Sequence, residues 1–124
     1  MITISVIIPC RNEVKYIEEC IHAIYFNVLE DDVNLNVIVV DGISDDGTRN
    51  LLTKLQIQFS NLHIVDNEKQ LTPFAFNLGI KHQNADFYQI VGARQILSKN
   101  YIQKSIEVFR QDDSVWCVGG AVDN

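Results

Sequence analysis

The chemistry-bearing residues of this chain gather in two short polar clusters, each directly after a β-branched run. The first is Pro9, Cys10, Arg11, Asn12 and Glu13, after the run Ile4 to Ile8. Pro9 has no backbone N–H and is expected to stop ladder pairing there. The amides of the next helix's first turn would then be open to an anion or to the edge of a nucleobase. The plain alternative is a capped strand-to-helix turn. The second cluster, Asp41 to Thr48, follows Val37 to Val40. A carboxylate ending a buried strand is costly to desolvate without donors around it, so Asp41 needs a partner from the protein or a ligand. A ribose hydroxyl or a pyrimidine N–H would serve. Asp45 and Asp46 stand at a helix start, where the macrodipole favours them as caps. This run lacks the alternate-residue ligands and distal Glu of an EF-hand calcium loop.

Other residue types with chemical potential are scattered. His22, His63 and His82 share no spacing that suits a metal. Cys10, Cys20 and Cys117 are odd in number and form no CxxC pair, so they read as free thiols in a reducing compartment, with Cys10 expected to be buried. Phe74, Phe76, Phe87 and Tyr88 are expected to pack together between a helix and a strand, and Trp116 to lie in the core or at a sheet edge.

Positioning the two clusters requires a regular frame, and the hydrophobic pattern supplies one. Ile4 to Ile8, Val37 to Val40, His63 to Val65, Phe87 to Val91 and Val115 to Val118 are short, nearly continuous apolar runs, the habit of strands covered on both faces. Between them lie four stretches of helical period. Val14, Ile17, Ile21, Ile24, Tyr25 and Val28 form one stripe, with Asn12 as its expected cap. Thr48, Leu51, Leu52, Leu55 and Phe59 form the second. Thr72 before Pro73 is a start signal for the third. The fourth runs from about Lys99 to Gln111 behind Ser98, with Ile102, Ile106 and Phe109 inward. The order β-α-β-α-β-α-β-α-β predicts a single α/β domain over residues 1–124 with a parallel, Rossmann-like sheet. Right-handed crossovers would bring the polar clusters to one common edge, the carboxyl edge where open α/β sheets bind ligands.

Composition bounds the partners. The chain has 124 residues, 47% apolar and 21% charged, and its formal net charge is 10 − 16 = −6. An acidic chain without a basic run lacks the footprint for nucleic acid or for anchoring on anionic lipid. No apolar run approaches the ~20 residues needed to span a bilayer, so no membrane segment is expected within the chain. The first residues lack the features of a signal peptide, and a cytoplasmic location is expected, with membrane association possible through a C-terminal part beyond Asn124.

Taken together, Ser5 to Pro9 with Arg11, Asn12 and Glu13; Val39 to Gly42 with Ser44, Asp46, Gly47 and Thr48; Thr72, Pro73, Asn77, Gly79 and Ile80; and Val118, Gly119, Gly120 and Val122 resemble glycosyltransferase family 2. The resemblance covers the N-terminal, nucleotide-binding half of a family domain. It implies a GT-A fold, incomplete relative to a full domain, that binds a UDP- or GDP-type sugar donor for transfer to a polysaccharide, lipid-linked or protein acceptor. By the same resemblance, Pro9, Asn12 and Glu13 frame the base, Asp41 contacts it, and Lys69 with Gln70 lies near base and diphosphate. Gly79 is read as close packing of helix on sheet and Asn77 as structural.

One departure from the family pattern concerns the metal. Mg²⁺ or Mn²⁺ is usual in the family, held by an Asp-x-Asp or Asp-x-His motif after the fourth strand. The matching positions here are Gly92, Ala93 and Arg94. Glycine offers no ligand and a guanidinium repels the ion. Three readings follow. Arg94 places a fixed positive charge near the β-phosphate of the leaving group. Alternatively, the domain has lost catalysis and remains a nucleotide-sugar-binding or scaffolding module. In the third, Arg94 is a solvated loop residue with a salt-bridge partner. The family's general base falls beyond the segment matching Asn124, so no catalytic residue is assigned, and the chain is expected to be a fragment not competent alone.

Overall fold

In the computed structural model, residues 2–69, 72–82 and 84–111 are described. β1 (Ile2–Cys10), α1 (Ile17–Tyr25), β2 (Val33–Asp41), α2 (Thr48–Gln58), β3 (Leu62–Asp66), α3 (Thr72–His82), β4 (Phe87–Ile90) and α4 (Tyr101–Gln111) follow one another in the expected alternation. The four strands form one parallel sheet in the order β3-β2-β1-β4. The expected fifth strand, Val115 to Val118, lies outside the described residues, as do Gln70, Trp116 and Cys117.

Strand parity divides the core. Even residues of β1 (Ile4, Val6, Ile8, Cys10) and odd residues of β2 (Leu35, Val37, Val39) pack with Ile17, Ile21 and Ile24 of α1, Leu52 and Leu55 of α2, and Ile102 and Ile106 of α4. The opposite parity, Ile7, Ile38 and Val40, packs with Ala75 of α3. The same alternation separates Phe87 from Tyr88. They belong to opposite faces of the sheet rather than to one aromatic cluster, because neighbours in a strand point apart.

Pro9 does not stop the ladder. β1 runs on to Cys10, and Pro9 is in register with Val40. The Ile7 carbonyl accepts from the Val91 N–H on the β4 side. By the two-residue alternation the Pro9 nitrogen faces that same side, past the last β4 pairing at Ile90. The missing N–H therefore costs no hydrogen bond, the condition under which strands tolerate proline.

Helix starts also differ in detail. α1 begins at Ile17 with Tyr16 before it and no side-chain cap, since Asn12 is engaged elsewhere. Val28 lies beyond its end and is exposed. α4 begins at Tyr101, and its Ile102 N–H is accepted by Asn27 Oδ1 at 3.0 Å, while Asn27 Nδ2 donates to the Ala23 carbonyl. Buried Asn27 thus ends one helix and starts another.

Gly79 brings α3 onto the sheet. A Cβ at this position would lie 2.7 Å from Cγ2 and 3.0 Å from Cγ1 of Ile7, and Ile7 is fully buried. The two backbones approach this closely only because the methyl is absent. Gly79→Ala is expected to destabilise the domain by about 1–3 kcal/mol through overpacking, read as a lower urea midpoint with unchanged slope.

Candidate functional site

The loops after β1, β2 and β4 meet at the carboxyl edge of the sheet. Asn12 adopts a left-handed backbone (φ 54°) and works between loops rather than as a cap. Its N–H donates to Ser44 Oγ at 2.8 Å, and its Oδ1 accepts from the Asp45 N–H at 2.9 Å. The Glu13 N–H donates to Thr48 Oγ1 at 3.0 Å, and the Val14 N–H reaches Asp46 Oδ2 at 3.4 Å. Arg11 Nε donates to the Gly42 carbonyl at 3.2 Å. α1 starts only at Ile17, and the loop amides before it, at positions 12, 13 and 14, are occupied by the second loop.

Asp46 accepts from both the backbone N–H and the hydroxyl of Thr48. The hydroxyl bond holds its carboxyl below the usual carboxylate range. It is the acidic residue that serves the α2 start. Asp45 contributes its backbone N–H to Asn12 instead. The turn into the helix passes through Gly47 at φ 100°, a conformation open chiefly to glycine. Ile43, also left-handed at φ 58° and 45% exposed, is a β-branched residue in a region that costs it on the order of 1–2 kcal/mol.

Asp41 is 1% exposed, and its expected need for donors is met within the protein. Ser44 Oγ donates to Oδ1 and the Ser44 N–H to Oδ2 at 3.2 Å. Arg49 Nε and Nη2 each approach Oδ2 at 3.2 Å, and Nη2 also donates to Asp66 Oδ1. Ser44 thereby links Asp41 to the Asn12 amide, so the carboxylate faces the turn that follows the opening strand.

Arg49 escaped the sequence reading, although its signal was present. Asp41 and Asp66 are register partners at the ends of β2 and β3. Parity puts both on the α2 face, where adjacent like charges repel. A cation from the first turn of the intervening helix answers that repulsion. Asp66, chiefly, together with Asp41 raises the Arg49 pKa.

Arg94 is an exposed loop residue with a salt-bridge partner, as in the third of the readings above. Its Nε donates to Glu13 Oε2 at 2.8 Å, and its guanidinium carbon lies 4.6 Å from the Tyr16 ring centroid. The Glu13 hydrogen bond raises its pKa. The ion pair joins the loops after β1 and β4 across the point where strand order reverses, the usual crevice of doubly wound sheets. Lys69 is exposed beside a cavity of about 220 Å³ that it lines with Asn67, Glu68 and Leu78. The Asn67 N–H donates to the Asp41 carbonyl at 2.8 Å, which sets that cavity next to Asp41's backbone.

The donor set at the end of β4 does not fit a divalent ion. Gly92 and Ala93 carry no ligand, and Arg94 is a cation. Among the described residues no group of three or more His, Cys, Asp or Glu side chains could hold a metal. His63 and His82 do meet, with ring centroids 5.1 Å apart and planes tilted by 58°, a proximity their spacing in sequence did not suggest, and burial followed by the charge of His82 lowers the His63 pKa. Burial, then Asp41, pushes the Cys10 thiol up to about 12, and burial alone takes Cys20 there as well. Both remain protonated and inert at neutral pH.

Among the described residues no helix is long and apolar enough to cross a membrane. The fold is shared with solved glycosyltransferases. A mannosyltransferase from Pyrobaculum calidifontis, solved with GDP-Man and Mn²⁺, superimposes with TM-score 0.78 at 24% identity, over 86% of this chain and 32% of that one. S. aureus TarS 1-349 in complex with UDP-GlcNAc gives TM-score 0.73 at 22% identity, over 88% and 31%. At these identities the likeness shows the GT-A fold alone. In sequence, a Methanococcus voltae dolichyl N-acetyl-alpha-D-glucosaminyl phosphate 3-beta-D-2,3-diacetamido-2,3-dideoxy-beta-D-glucuronosyltransferase is 35% identical over 97% of this chain. Succinoglycan biosynthesis protein ExoA of Rhizobium meliloti is 27% identical over 82% of it. The chain spans 39% of the first relative's length and 31% of the second's. The model of the glycosyl transferase family 2 matches residues 5–123, and with the parallel sheet and the interlocked loops at its carboxyl edge, the chain belongs to that family.

Proposed function

We propose that this domain binds the nucleoside diphosphate of a UDP- or GDP-type sugar donor at the carboxyl edge of β1, β2 and β4, for glycosyl transfer to a polysaccharide, lipid-linked or protein acceptor. The observation that carries the reading is the buried carboxylate of Asp41, linked through Ser44 to the β1 loop at the carboxyl edge of the sheet. Asp41 accepts from the base. Pro9, Asn12 and Glu13 frame it, and their loop is stiffened by four cross-loop hydrogen bonds through Asn12, Glu13 and Val14. Lys69 lies toward the diphosphate.

A divalent ion in this family stabilises the departing nucleoside diphosphate. Gly92 and Ala93 carry no side-chain oxygen that would hold such an ion. Arg94 supplies the positive charge instead. A diphosphate competes with Glu13 for its guanidinium, and Tyr16 keeps the group at the crevice while the partner changes.

Titration calorimetry of the chain with UDP and with GDP, each with and without Mn²⁺, tests the reading. One nucleotide is expected to bind with the same affinity in both conditions. A gain of tenfold or more with Mn²⁺ would contradict the role given to Gly92 and Arg94. A folded chain that binds neither nucleotide would favour the scaffolding alternative, which the donor-poor Gly92 to Arg94 segment also fits.

A further inference from the structure

Carboxylate oxygens offer about four acceptor sites between them, and Asp41 uses them unevenly. Two hydrogen bonds converge on Oδ2, from the Ser44 N–H and Arg49 Nε, each at 3.2 Å, enough to fill its two acceptor sites, and the charged Arg49 Nη2 stands at the same distance as an ion-pair contact. Oδ1 has one, the Ser44 hydroxyl. The remaining capacity lies on Oδ1, and Arg49 is what fills the other oxygen. Arg49 is itself held from outside, because its Nη2 also donates to Asp66 Oδ1. The guanidinium is a rigid planar fork, so fixing its outer nitrogen on one carboxylate fixes how its inner edge meets the other.

The charges point the same way. Arg49 is 39% exposed at the carboxyl edge, the place where a free arginine would take a phosphate. Here it is shared between two carboxylates, so the cluster carries a formal charge of about −1 when all three groups are ionised. Such a cluster repels a phosphate and welcomes a neutral N–H donor. A base with a ring N–H at the matching edge fits it. A base presenting a ring nitrogen lone pair there sets acceptor against acceptor, at the full cost of unpaired polar groups.

We infer that Arg49, anchored by Asp66, is a positioning residue that orients the Asp41 carboxylate and leaves Oδ1 as its one ligand-accepting oxygen, so that the Asp41–Arg49–Asp66 cluster selects bases with a ring N–H. The inference rests on the proposed nucleotide-binding reading. It adds two residues from α2 and β3 that touch no ligand themselves.

The test compares UDP or GDP, whichever binds, with the same nucleotide methylated at the ring nitrogen (N3 of uracil, N1 of guanine), in the 124-residue chain. Wild type is expected to prefer the unmethylated nucleotide by on the order of tenfold or more. Arg49→Ala and Arg49→Lys are both expected to bring the ratio to within about threefold of unity, since lysine restores the charge without the fork. Asp66→Ala, at an exposed side chain, is the second route should Arg49→Ala not fold, and is expected to lower the ratio at least threefold. Loss of stability alone would weaken both nucleotides together and leave the ratio intact. A wild-type ratio near one, or a wild-type ratio retained in the folded variants, overturns the inference while leaving the nucleotide site standing. A wild-type chain that binds no nucleotide overturns both.

Discussion

Asp41→Ala is expected to abolish detectable binding of UDP and GDP while lowering stability by about 1–3 kcal/mol. Two separate physical effects are involved. The first is loss of the acceptor given to the base. The second is structural: Ser44 and Arg49 both donate to this carboxylate, and its removal leaves them facing a space too dry to solvate them well. Arg49 is partly exposed and retains Asp66, which keeps the cost below that of stranding a fully buried charge. Asp41→Asn separates the effects. The amide keeps shape and one carbonyl acceptor, so the fold is expected to survive with a smaller loss of stability, while nucleotide affinity still falls by an order of magnitude or more. The decisive measurement is calorimetry beside a urea melt of each variant. Wild-type affinity in folded Asp41→Ala would remove Asp41 from the site and with it the central residue of the proposed function.

The second large effect is a gain. Gly92→Asp combined with Arg94→His rebuilds an acid-x-His pair at the end of β4. The chain is expected to become metal-responsive, with Mn²⁺ improving nucleotide affinity about tenfold or more, because oxygen and imidazole ligands replace a hydrogen atom and a cation. Space is available at position 92. A Cβ there would meet the end of the Gln95 side chain at 3.4 Å, and that side chain can turn away at the cost of its hydrogen bond from the Gly92 N–H. The Gly92 carbonyl accepts from the Cys20 thiol at 3.4 Å, and this contact does not depend on the residue 92 side chain. Removing Arg94 also frees Glu13, whose carboxylate lies beside the rebuilt pair and would add to its pull on a cation. An unchanged response to Mn²⁺ in the folded double variant would mean that this loop does not face the diphosphate.

How far the site was legible in the sequence depends on the range of the interaction. The need of Asp41 for donors was legible because an Asp closing the run Val37 to Val40 breaks a local pattern, and desolvation makes such a break meaningful wherever the chain folds. Asp46 before α2 was legible on the same local grounds, although the N-cap itself is Gly47 without a side-chain cap and Asp46 reaches into the helix only as far as Thr48, two positions on. Asn12 was misread as a cap. Its type permits that role, but its partners, Ser44 and Asp45, lie more than thirty positions away. Pro9 was misread as a break because proline's cost depends on which side of the strand its nitrogen faces, and that is known only once β4 is seen to end early. Arg49 was missed because register is a property of two strands together, and Asp41 meets Asp66 only in the sheet.

The amino-acid order alone therefore determined the alternation of strands and helices, the apolar faces, the glycine at 79 and the acidic end of β2, because each is a matter of period or of near neighbours along the chain. Tertiary structure alone decided which donors surround the Asp41 carboxylate, that Arg94 is paired with Glu13, and that the amides at positions 12 to 14 are already taken by the loop opposite. Those outcomes are set by hydrogen bonds and ion pairs between segments far apart in the chain. Such bonds need partners within about 3 Å, and only the folding of the sheet brings those segments so near.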